Sequence, residues 1–224
     1  MQIVWLGHST FEIEAEGQTL VLDPWLENPS FPAGYEIRRC DVIAVTHGHG
    51  DHLGSVIPLG LRFGATVVAN YEITTWLATK GVKRMEAMNK GGRVKCGPFA
   101  LTMTHAVHSS TIEDGGAMIP GGEAGGFVIE VEGKTMYYAG DTGVHSDMAL
   151  IRELYAPQLA FLPIGDRFTM DPRQAAHAIK LIGAPRVIPM HYGTFDALPG
   201  RPEELQQLTS ARVEVLRVGE PWTW

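Results

Sequence analysis

Short runs in which apolar residues alternate with polar ones, or stand unbroken, fill the first half of the chain and predict strands. Gln2–Leu6, Thr10–Glu14 and Thr19–Leu22 read as strands, separated by Gly7-His8 and Gly17-Gln18. Asp41–Thr46 is a continuous apolar run of the kind a buried strand shows. A helical stretch follows His52, a strand is predicted at Ala65–Asn70, and a helix over Tyr71–Lys80 stops near Gly81. Phe99–His105 reads as a strand with Leu101, Met103 and His105 on one face. Gly115–Gly126 carries six glycines and Pro120, which predicts a mobile loop that could cover a site. In the second half, Gly126–Glu132 and Thr135–Ala139 form a hairpin around Gly133-Lys134, and Ser146–Tyr155 is helical. Gln158–Pro163 is a strand. Asp171 then caps a helix with Pro172 at its first position and Gly183 at its end. Arg186–Pro189 is a strand, Pro202–Ser210 a helix and Val213–Val218 a last strand. Strands with helices between them, and no linker, predict one α/β domain over residues 1–224, with two mixed sheets inside and helices outside.

The chemistry lies at the strand ends. Thr46-His47-Gly48-His49-Gly50-Asp51-His52 packs three histidines and an aspartate into six residues directly after a buried strand. His47 and His49 alternate across one glycine, so on an extended backbone both imidazoles point the same way and can clamp one metal ion. Asp51 and His52 lie past the turn, aimed at a second position. One short cluster cannot fill two coordination spheres, so other strand ends must contribute. His108 is the first candidate. His105 competes with it, but its alternation with Leu101 and Met103 places it on an apolar face. Asp141, in Ala139-Gly140-Asp141-Thr142-Gly143, ends another apolar strand, and its two carboxylate oxygens could bridge two cations. His191 ends the run Val187–Met190.

These residues, in this order, resemble the metallo-β-lactamase superfamily of metal-dependent hydrolases. The resemblance runs from Trp5 to about Phe195, and the HxHxDH stretch is its most specific part. Trp5-Leu6-Gly7-His8-Ser9-Thr10 and Ile188-Pro189-Met190-His191-Tyr192 are similar to the small cytoplasmic hydrolase group related to ascorbate-6-phosphate lactonases. The resemblance implies an αββα sandwich (metallo-β-lactamase fold) with the metal site on one edge. It implies site one as His47, His49 and His108, site two as Asp51, His52 and His191, and Asp141 shared between them. It also implies self-association into a homo-oligomer, and places His8 near the metals, where it would hydrogen-bond a ligand or protonate a leaving group.

Seven imidazole or carboxylate donors suit two divalent metal ions, with zinc first and manganese or iron as alternatives, because thiolates are absent from the set. The reaction expected is hydrolysis of an ester, lactone, amide or phosphoester by a hydroxide bridging two metal ions, with Asp51 orienting it and taking up its proton. The competing readings are a non-catalytic metal- or ligand-binding sensor on the same fold and an RNA-processing nuclease. Asp166 could orient a ligand histidine, Arg167 could meet an anionic small-molecule substrate, and His145 could reach substrate. His177, Trp25 and Trp76 read as structural or packing residues. Composition narrows the rest. The chain has 224 residues and a formal net charge of −7. That disfavours nucleic acid and polybasic membrane binding. Two isolated cysteines, Cys40 and Cys96, and the lack of a secretory signal pattern in MQIVWLGHST predict a cytoplasmic protein.

Overall fold

The computed structural model describes residues 1–224. Its frame is a pair of seven-stranded sheets. The first contains β1 (Gln2–Trp5), β2 (Phe11–Ala15), β3 (Gln18–Leu22), β4 (Val42–Ala44), β5 (Thr66–Asn70), β6 (Met85–Met88) and β16 (Pro221–Thr223), in the order β16-β1-β2-β3-β4-β5-β6. The second contains β7 (Arg93–Cys96), β8 (Phe99–His105), β11 (Gly125–Val131), β12 (Lys134–Tyr138), β13 (Leu159–Pro163), β14 (Arg186–Met190) and β15 (Arg212–Val213), in the order β15-β14-β13-β12-β11-β8-β7. Both sheets are mixed. Hairpins make one half antiparallel, while β3-β4-β5-β6 and β12-β13-β14-β15 run parallel.

The central parallel strands β4, β5, β13 and β14 are largely apolar without alternation because both faces are buried. In β13, Leu159 and Phe161 enter the core between the sheets, whereas Ala160 and Leu162 face the helices. In β3, Leu20 and Leu22 face the other sheet, and Val21 packs outward. The outer layers are α2 (Val56–Phe63) and α3 (Tyr71–Thr79) over the first sheet, and α4 (Met148–Tyr155), α5 (Pro172–Ile182) and α6 (Pro202–Leu208) over the second. This is the αββα sandwich. The cap of α5 is the predicted one: Asp171 accepts from Gln174 N–H, the Gln174 side chain returns the bond, and Gly183 closes the helix in the left-handed region.

Two expectations fail. Gly115–Gly126 is not a bare loop. It holds β10 (Ala117–Pro120), paired antiparallel with β9 (Thr111–Asp114). Gly115 and Gly116 both adopt positive φ, 60° and 86°, which suits the tight turn between these strands. The strand expected at Val213–Val218 ends at Val213. Glu214 N–H still donates to Val187 O, but Leu216 then turns into the core between the sheets and Gly219 N–H reaches Trp5 O. The chain thus leaves the second sheet and adds β16 to the edge of the first, where Ile3 pairs with Trp222. No helix is long and apolar enough to cross a membrane.

Candidate metal centre

All seven predicted donors meet at one edge of the sandwich, each delivered from beyond a strand. His47 and His49 follow β4, and Asp51 and His52 lie on α1 (Gly50–Leu53). His108 follows β8, Asp141 follows β12 and His191 follows β14. Gly48 is needed in the first loop: a Cβ there would fall 2.8 Å from Ile112 Cγ1 and 3.2 Å from the Thr111 carbonyl carbon.

The donor atoms fall into three overlapping groups: His47, His49 and His108; His47, His52 and Asp141; and His8, Asp51, His52 and His191. His47 Nε2 and His49 Nδ1 are 3.0 Å apart. Asp141 Oδ2 lies 3.0 Å from His191 Nε2, 3.3 Å from His52 Nε2 and 3.7 Å from His108 Nε2. Asp51 Oδ2 lies 3.7 Å from His191 Nε2 and 3.8 Å from His52 Nε2. Asp141 Oδ2 therefore stands among His52, His108 and His191.

The surroundings set the electrostatics. Burial, together with facing imidazoles, lowers the pKa of His47, His49 and His108. Burial also opposes charge on His191 and His52, but Asp141 and Asp51 outweigh it, taking His191 up to about 9 and His52 upward. Burial would raise both carboxylates. The imidazoles of His52 and His191 override it and hold Asp51 and Asp141 well below the usual carboxylate range.

The donor set fits cations. Asp141 Oδ1 is buried with no hydrogen-bond partner, and the buried His52 Nε2 makes no aligned hydrogen bond although Asp141 Oδ2 lies 3.3 Å away, an arrangement that is costly unless something else satisfies these atoms. The wiring behind the cluster points the same way. Asp23 accepts from Thr46 N–H at 2.8 Å and from the Thr46 hydroxyl at 2.7 Å, and its Oδ2 takes His52 Nδ1–H at 2.8 Å. Because Thr46 spends its hydroxyl proton on Asp23, its oxygen must accept from His47 Nδ1–H, 2.9 Å away. His47 thus presents a bare Nε2 to the cluster, and His52, anchored through Nδ1, turns its Nε2 toward Asp141. The sequence reading did not single out Asp23. Its one signal was a buried apolar strand, Thr19–Leu22, ending in Asp-Pro.

Other candidates are placed differently. His105 is half-buried, not in the apolar core. It lies 3.0 Å from Lys90 Nζ and 5.1 Å, ring to ring, from His145, and neither histidine joins the cluster. Asp166 does not orient a ligand histidine: its carboxylate accepts from Arg167 N–H at 2.7 Å, and Arg167 lies over the Phe168 ring. His177 is exposed on α5. Trp76 ties to Asp114, whereas Trp25 packs edge-on against His8, with centroids 5.2 Å apart.

Residues 18–192 match the Beta-lactamase superfamily domain. A UPF0173 metal-dependent hydrolase of Solibacter usitatus is 50% identical to the chain, with all of both sequences covered. The chain belongs to the UPF0173 metal-dependent hydrolase family. Another family member, from Methanosarcina mazei, is 47% identical over 96% of this chain and 93% of its own length. Igni18, a metallo hydrolase from the archaeon Ignicoccus hospitalis, superposes with a TM-score of 0.87 at 34% identity, covering 100% of this chain and 98% of its own. The fold is thus the metallo-β-lactamase fold, and His47–His52, His108, Asp141 and His191 all lie within the part of the chain that matches the domain.

Proposed function

We propose that this UPF0173 member is a metal-dependent hydrolase that works as one domain, residues 1–224, with two divalent cations. His47, His49 and His108 would hold one, Asp51, His52 and His191 the other, and Asp141 would share its carboxylate between them. The observation that carries this reading is the meeting of seven donors around the unpartnered, buried His52 Nε2 and Asp141 Oδ1. Zinc suits the imidazole and carboxylate set, with manganese or iron as alternatives. Bound there, the cations supply Lewis acidity, lowering the pKa of a water from about 15.7 toward ~7 and polarising the scissile group.

The chain's own residues do the rest. Asp23, through His52 Nδ1 and through Thr46, holds two imidazoles in the tautomer that offers Nε2. Asp51 is the proposed proton acceptor. It is ionised and 30% exposed, so it can orient an attacking water and take its proton. His8, fully buried behind it, is proposed to steady it from 3.1 Å. Ser109 Oγ lies 3.2 Å from His49 Nε2 and positions that ring. The substrate class proposed is a small molecule with an ester, lactone, amide or phosphoester bond.

The test couples metal content to turnover. Plasma mass spectrometry should find two equivalents of metal in the native protein. A panel of p-nitrophenyl esters, lactones and phosphodiesters should show rates that depend on added zinc or manganese. Asp141→Ala should lose metal and turnover together. Two equivalents retained by that variant would remove the shared carboxylate, and flat rates across the panel would favour a binding protein.

A further inference from the structure

His8 is wired unlike the other histidines of the cluster. It stands just beyond β1 in the left-handed region, φ 53°, with its ring wholly buried. Its carbonyl accepts from Trp5 Nε1 at 3.0 Å and from His191 N–H at 3.1 Å, so the loop after β1 is clamped to the loop after β14. Three residues beyond His191, Thr194 comes back over the ring, and its Oγ1 lies 2.9 Å from His8 Nδ1. The other ring nitrogen, Nε2, lies 3.1 Å from Asp51 Oδ2.

Proton accounting decides the tautomer. An ionised carboxylate only accepts, so the contact with Asp51 requires a proton on Nε2. Thr194 differs from Thr46, whose hydroxyl proton is committed to Asp23. The Thr194 hydroxyl makes no other hydrogen bond, so its proton is free for Nδ1. The rings packed around it are Trp25, Phe195, His52 and His191. His47 is fixed with Nε2 bare, and His8 is fixed the other way round.

We propose that Thr194 is a positioning residue: its hydroxyl donates to His8 Nδ1, locks the Nε2–H tautomer, and through that N–H holds Asp51 Oδ2 turned toward His52 and His191. The proposal rests on reading Asp51 as a donor at the second metal position, and goes beyond it by naming what aims that carboxylate.

The test begins with the unaltered protein. Histidine ¹⁵N spectra of the zinc-loaded and metal-free chain, with His8 assigned by its loss in His8→Gln, should show Nε2 protonated and Nδ1 bare. In Thr194→Val, which keeps the shape and removes the hydroxyl, the Nδ1–H form of His8 should become detectable beside the Nε2–H form that Asp51 alone then favours. Affinity for the second equivalent of zinc, measured by titration with Zn²⁺ alone, should weaken roughly 10–100-fold. Thr194→Ser should restore both readouts. A wild-type spectrum with Nδ1 protonated and Nε2 bare would overturn the proposal and make His8 a further metal donor instead. So would a Thr194→Val protein with unchanged tautomer and zinc affinity. If the chain binds no zinc while His8 still shows Nε2–H, the metal reading fails and the lock between Thr194 and His8 stands.

Discussion

At the scale of single residues, the centre depends on side chains that never face a cation. Asp23 is the clearest. It is fully buried, and four donors converge on it: the Thr46 N–H, the Thr46 hydroxyl, His52 Nδ1 and the Tyr138 hydroxyl at 2.9 Å. Removing one partner of such a network strands the others in a low-dielectric interior. Asp23→Ala should therefore cost about 3–5 kcal/mol in urea denaturation and weaken metal binding roughly 10–100-fold. A variant that unfolds earlier but titrates metal normally would make Asp23 a purely structural residue. The two histidines of the stretch after Met103 give a second contrast. His108 Nε2 faces Asp141, whereas His105 faces Lys90. His105→Ala should keep the metal content of the native protein and His108→Ala should not. The reverse result would exchange the two assignments.

At the scale of elements, the hairpin of β9 and β10 is where composition and structure part. Six glycines between positions 115 and 126 suggest mobility. The structure fastens both ends of that hairpin. Ile112 is buried beside Gly48, and Ser110 Oγ donates to Gly121 O at 2.9 Å. Near the turn, Asp114 accepts from Trp76 Nε1 at 2.9 Å and from Lys80 at 2.7 Å, tethering the hairpin to α3. Asp114→Ala should speed amide hydrogen exchange across residues 111–120 while leaving the melting temperature nearly unchanged, because the tether is a surface contact. Unchanged exchange would show that Ile112 alone holds the hairpin. Gly165, after β13, shows the opposite constraint. The loop presses so closely on His191 that a Cβ at Gly165 would collide with the His191 carbonyl oxygen.

At the scale of the whole molecule, an apolar core joins the two sheets, and at the site edge loops from both bring Asp51, Asp141 and the facing imidazoles together. A ligand bound only by the folded state adds stability by mass action, ~4 kcal/mol at a free concentration of about a thousand times its Kd. For a chain of this size each kcal/mol moves the melting point by roughly 2–4 °C. Chelation should thus lower the melting temperature by about 10 °C, and added zinc should restore it; a chelator with no effect would argue against tightly held cations. The sequence by itself determined the central strands, the cap of α5 and the HxHxDH stretch, because each is written in local periodicity or spacing. It also named His108, Asp141 and His191, since each closes an apolar run. The tertiary structure decided what depends on distant partners. β6, β7 and β16 are short and partly exposed, and they pair only because a neighbouring edge is there. Asp23 acquires its role only when β3 lies parallel to β4, and Thr194 meets His8 across 186 positions of chain. Spacing along a chain specifies what one stretch can hold, whereas the bonds that orient those side chains come from residues that only folding brings close.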